Sequence, residues 1–115
     1  MQMAVDNAPW QVTGPEIFSL DKYLSSANAP DVEEDARLCI QSGARNMVLD
    51  CSIMSYMTGA GARAILNIAR TMQDAGGSLF IKGLSGQPYD IFKACGLDLV
   101  VPSAEDFDIN SAISA

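Results

Sequence analysis

The chain contains no histidine. No mechanism that needs an imidazole base, proton shuttle or metal ligand can be built from it. Basic residues are scarce, 7 Lys and Arg against 14 Asp and Glu, for a net charge of −7. They form no cluster that could neutralise phosphates, which argues against a nucleic-acid partner. An anionic bilayer surface would repel such a chain, whereas the basic face of a protein partner would attract it. No apolar run approaches the ~20 residues of a membrane span. No secretory leader is legible at the start. The expectation is a cytoplasmic protein without direct membrane insertion. The three cysteines, Cys39, Cys51 and Cys95, are odd in number and lack C-x-x-C spacing. Each has apolar neighbours, and each reads as a buried small side chain.

What is present is enough for one core. The 115 residues, 49% hydrophobic and 18% charged, read as a single domain over 1–115, with 1–9 a loose lead-in. Trp10–Thr13 reads as a short strand, stopped by Gly14-Pro15. Ile17–Leu24 alternates, with Phe18, Leu20 and Leu24 on one face and Ile17 and Tyr23 on the other. It reads as one strand, able to form a hairpin with the first. Asn28 is placed as an N-cap ahead of Pro30, and Asp31, Glu33 and Glu34 complement the helix dipole. Val32, Ala36, Cys39 and Ile40 recur at helical spacing until Gly43.

The continuous apolar run from Met47 to Cys51 predicts a strand covered on both faces, hence central. After a polar loop, a helix runs from Thr58 to about Ala75, with Ala62, Ile65, Ala69 and Met72 as its apolar stripe. Ser78–Lys82 is a further strand. Gly83–Pro88 is a loop into a helix whose apolar face is Tyr89, Phe92 and Cys95, with Gly96 ending it. Leu99–Val101 reads as a last strand, and Ser103 opens a final helix to about Ser111. The order is β-β-α-β-α-β-α-β-α. The fold class is α/β, a small mixed, largely parallel sheet flanked by about four helices.

Residues 47–61 hold the most chemistry. A strand end, a loop and a helix N-terminus meet there, the place where α/β sheets collect ligands and partners. Thr58 is either the N-cap or a phosphoacceptor. Gly59 and Gly61 suit a tight turn or close backbone approach. As a phosphate cradle they lack the lysine of a P-loop. Asp50 is expected to hydrogen-bond the helix-opening loop. Met54, Tyr56 and Met57 are split between core and contact surface. Arg63 and Arg70 form either a solvated face or a docking stripe. No metal site and no cofactor is expected.

Four stretches in order resemble the STAS domains, the family of anti-sigma factor antagonists and of the cytoplasmic domains of sulfate transporters. They are Tyr23–Ser52, Tyr56–Leu66, Ala75–Leu79 and Ile91–Asp98. In that family the loop opening the second helix docks onto a kinase-type ATPase that doubles as an anti-sigma factor. Phosphorylation of a Ser or Thr in the loop releases it by repulsion and desolvation. Aligned on Gly61, this chain has Thr58 where the family often has Asp, and Gly59 where it has the acceptor hydroxyl. Ala60 follows. Ser25 replaces an acidic residue, and Lys22 a glycine.

The resemblance implies an anti-sigma factor antagonist-like module that binds such a kinase-type anti-sigma factor. The implied contact residues are Met54, Tyr56, Met57, Thr58, Gly59, Ala60, Gly61 and Arg63, with Ser25, Ser26 and Asn28 beside them. Either Thr58 serves as acceptor or phosphorylation is not used. A weak homodimer is compatible with this reading. The alternative is a cytoplasmic accessory subunit of an ABC-type membrane transporter, and a nucleotide-binding module ranks behind both. No catalysis is expected.

Overall fold

The run predicted to be central is central. In a computed structural model that describes residues 16–104, Asn46–Asp50 (β3) lies between two parallel neighbours. These are Glu16–Ser19 (β1) and Ser78–Lys82 (β5), with Ile17 opposite Val48 and Val48 opposite Phe80. Both crossovers move the same way across the sheet. Right-handed connections therefore place Ala29–Gln41 (α1) and Gly59–Asp74 (α2) on one face, parallel to each other. Met47, Leu49, Leu79 and Ile81 point into that layer and meet Ala36 and Ile40 of α1 and Ile65, Ala69 and Met72 of α2. Val48, on the other face, is buried as well, as expected of a strand covered on both sides.

The alternating stretch 17–24 is two strands, not one. β1 ends at Ser19, and the chain steps away through Leu20-Asp21-Lys22 before Tyr23–Leu24 (β2). β2 pairs in parallel with Tyr56–Met57 (β4), in register Tyr23 to Tyr56 and Leu24 to Met57. The face assignment nevertheless holds: Leu20 and Leu24 are buried, Ile17 and Tyr23 exposed. A step keeps the alternation on both sides, so the pattern alone could not reveal the break.

α1 starts after Asn28, as expected, but the Asn28 side chain does not cap it. Its backbone is not in the extended conformation of a capping residue. The carboxamide turns back, accepting from the Ser25 N–H and donating to the Tyr23 carbonyl, both at 2.9 Å. Gly86–Ala94 (α3) begins earlier than predicted, with Ser85 before its first turn. Its buried side chains are Pro88 and Phe92, whereas Tyr89 is exposed.

Of the three cysteines only Cys51 is buried; Cys39 is half-buried and Cys95 exposed. Leu99–Val101 is not a strand. Leu97–Leu99 forms a 3-10 turn after Gly96, whose φ of 74° suits glycine. Leu97 and Val101 enter the core while Leu99 points outward. Ser103 meets the sheet as an isolated parallel bridge to Ile81, and the Pro102 carbonyl accepts the Ile81 N–H at 3.0 Å. The described residues hold three α-helices. The strand at Trp10–Thr13 with its hairpin, the lead-in 1–9 and the final helix beyond Ala104 lie outside them.

Candidate functional site

The two parallel helices open at the same end of the molecule. Leu24 fixes the geometry there. Its carbonyl accepts the Thr58 N–H at 3.0 Å and the Thr58 hydroxyl at 3.4 Å. The same hydroxyl accepts the Gly61 N–H at 3.2 Å, so Thr58 is the N-cap of α2. Gly61 is required by its own chain: a Cβ there would come within 2.5 Å of the Leu24 carbonyl oxygen. Gly59 is different. It lies on the exposed first turn, and a Cβ would meet nothing within 4 Å.

The short sheet β2–β4 is anchored from both sides. The Lys22 carbonyl accepts the Ser55 N–H at 2.7 Å and the Ser55 hydroxyl at 3.1 Å. On the α3 side, the Gln87 carboxamide pairs with both backbone groups of Met57. The loop between β3 and β4 is held at its start by Asp50. Its carboxylate accepts the Ser52 hydroxyl and, at 3.0 Å, the Ser52 N–H, with Lys82 Nζ 4.0 Å away. The hydrogen bond from the Ser52 hydroxyl is the main cause that holds the Asp50 carboxyl below its usual range; partial burial opposes it. Asp50 thus makes a hydrogen bond within the loop, as expected.

The site residues divide by exposure. Met54 and Met57 are in the core at 6% and 0% exposure, so they brace the loop and present no contact surface, a correction to their expected role. Tyr56 is 52% exposed, and its cross-strand neighbour Tyr23 is 47% exposed on the same face. Ile53 stands out further, at 61%. Ser26, Gly59 and Arg63 are exposed; Ser25, Asn28, Thr58 and Ala60 are half-buried, and Gly61 is buried. Ser25 and Asn28 shape the turn before α1, in which the Ser25 hydroxyl accepts the Ala27 N–H at 3.2 Å.

Sequence reasoning missed Tyr23, Ile53 and Gln87. Tyr23 carried a signal, its phase opposite to Leu20 and Leu24. Ile53 and Gln87 carried none, since only tertiary pairing gives them a role. What this end of the molecule exposes is a pair of cross-strand tyrosines, Ile53 and an open helix start, together with Lys22 and Arg63. Among the described residues neither cation is in an ion pair. No group of three acidic or sulfur ligands that could hold a metal ion occurs among them. None of their helices is long and apolar enough to cross a membrane.

Comparison with known proteins agrees with this architecture. BtrV of Bordetella bronchiseptica, named as a candidate anti-sigma factor antagonist, is 26% identical over 102 residues, covering 89% of this chain and 88% of the relative. The unphosphorylated anti-sigma factor antagonist SpoIIAA has a similar fold, with a TM-score of 0.71 at 14% identity over 93% of this chain and 90% of that one. So does a sulfate transporter family protein from Wolinella succinogenes, with a TM-score of 0.65 at 17% identity, covering 75% and 70% of the two chains. At such identities the two solved structures speak for the fold alone. The STAS domain model matches residues 10–109, nearly the whole chain, and the protein belongs to the STAS domain family.

Proposed function

We propose that this protein is an anti-sigma factor antagonist-like binding module. It docks a kinase-type anti-sigma factor through the Tyr23–Tyr56 face and the start of α2. The observation that carries this reading is Gly59. Glycine costs about 1 kcal/mol in a helix relative to alanine, and neither its own φ nor any neighbour demands it here. Its bare backbone beside two exposed tyrosines leaves room for a partner's main chain to approach.

The same observation bears on regulation. Gly59 has no hydroxyl to modify, and the Thr58 hydroxyl is engaged as donor and acceptor inside the cap. The reading is therefore docking that phosphorylation does not gate at this loop. The test is isothermal titration of the native chain against the kinase-type ATPases of its source. Binding of one of them is expected, weakened at least about tenfold by Gly59→Asp or Tyr56→Ala. Unaltered binding in both variants, or recovery of only membrane-transporter ATPase subunits by the tagged protein, would overturn it.

A further inference from the structure

Asn28 occupies the capping position of α1, yet α1 leaves its carboxamide nothing to cap. A cap serves the second or third N–H of a helix. Here Pro30 has no N–H, and the Asp31 N–H is held by the carbonyl of Asn28 itself at 3.1 Å. The carboxamide serves β2 instead. In the β2–β4 pairing the Lys22 and Leu24 carbonyls point to β4, where they accept the Tyr56 and Thr58 N–H groups. The Tyr23 carbonyl, between them, faces the opposite edge. Asn28 Nδ2 donates to it, while Asn28 Oδ1 accepts the Ser25 N–H, both at 2.9 Å. On the far edge of β4, Gln87 holds both backbone groups of Met57. A two-stranded ribbon is marginally stable by itself. This one has two residues per strand, and a carboxamide binds each of its edges.

These bonds dictate the residue type. Holding the Tyr23 carbonyl needs a donor, and holding the Ser25 N–H needs an acceptor, on one short side chain. Asparagine has both, whereas ionised aspartate only accepts. As helix caps the two are equivalent, so the Tyr23 bond is what distinguishes them. We propose that Asn28 is a positioning residue for partner docking. It acts through Tyr23 rather than by its own contact, fixing the backbone that carries the Tyr23 ring across from Tyr56 before the partner arrives. A surface ordered in advance binds more tightly, because less freedom is lost on association. This role rests on the reading of the Tyr23–Tyr56 face as the docking surface.

The test compares Asn28→Asp and Asn28→Ala with Ser42→Ala in the full chain. Ser42→Ala removes a side-chain bond of the same length, 2.9 Å to the Leu38 carbonyl, at the other end of α1. Melting temperatures report that each variant is folded. Amide exchange reads the ribbon without any partner. In Asn28→Asp the carboxylate repels the Tyr23 carbonyl, and exchange of the Tyr56 and Thr58 amides is expected to quicken roughly threefold to tenfold relative to Val48 and Leu49. Affinity is then titrated against the kinase-type ATPase that binds the native chain. It is expected to fall by a similar factor in both Asn28 variants and to stay native in Ser42→Ala. Native exchange and affinity in Asn28→Asp would overturn the proposal, as would an equal loss of affinity in Ser42→Ala. Lost affinity with native exchange would make Asn28 a direct contact and overturn it too. Faster exchange with unaltered affinity would overturn the positioning role alone. A native chain that binds no such ATPase would overturn the docking reading and this role with it.

Discussion

The side chain of Gln87 completes the backbone pairing of Met57. Its Oε1 accepts the Met57 N–H and its Nε2 donates to the Met57 carbonyl, each at 2.8 Å. One carboxamide thus takes the place of a neighbouring strand along the edge of β4. Gln87→Ala is expected to leave both groups unpaired in a half-buried position and to cost about 1–3 kcal/mol. Urea unfolding would measure the loss. Amide exchange at Tyr56 to Thr58 would show it locally. Gln87→Glu keeps the acceptor but loses the donor, and should fall between the two.

The two glycines at the start of α2 should respond oppositely to the same change. Gly61→Ala forces a methyl against the Leu24 carbonyl and should destabilise the fold by about 1–3 kcal/mol. Gly59→Ala meets open space and should stabilise it by up to about 1 kcal/mol. Paired denaturant curves with unchanged slopes would establish this. A stable Gly61→Ala protein would remove the close approach of Leu24 to α2.

Thr58 is expected to behave as a cap. Thr58→Ala should cost about 1 kcal/mol, and Thr58→Ser should restore most of it. Both follow from the bond to the Gly61 N–H, and thermal melts of the three proteins would check them.

Asp50 predicts a pH dependence of definite sign. Its folded pKa lies below the ordinary value. Its hydrogen-bonded carboxylate therefore adds stability above the unfolded pKa, about 3.9, and that contribution is lost as the pH falls through the folded value. Asp50→Asn should be less stable than the parent at neutral pH, with the gap closing below pH about 4. A gap that widened on acidification would contradict the assignment.

The thiols should react in order of exposure. Cys95 is exposed and should titrate with Ellman's reagent in the native protein. Cys51 is fully buried, its pKa pushed up to about 12 by desolvation and the nearby Asp50 charge, and should react only on unfolding. Native labelling of Cys51 would show that the loop above it opens.

Much of this fold was legible because local signals and tertiary needs agree. The stripe Ala62, Ile65, Ala69 and Met72 can face only a core, and Thr58 is where a helix must be capped. The misreadings have a common cause. Asn28, Cys95 and Leu99 all sit at turns, where the partner of a side chain is set by how the chain folds back. The step between Ser19 and Tyr23 preserves alternation, so the pattern is silent about it. Met54 and Met57 read as adaptable surface or core equally well, and only the pairing of Met57 with Leu24 and Gln87 decides.

The pairing of Tyr23 with Tyr56 also has a kinetic side. The two residues are 33 positions apart by number, with α1 and β3 between them. Closing so non-local a pair costs loop entropy before its contacts reward it, which makes it slow. An incompletely folded chain would therefore display an exposed core but no tyrosine face, and a partner that reads that face would bind only finished molecules.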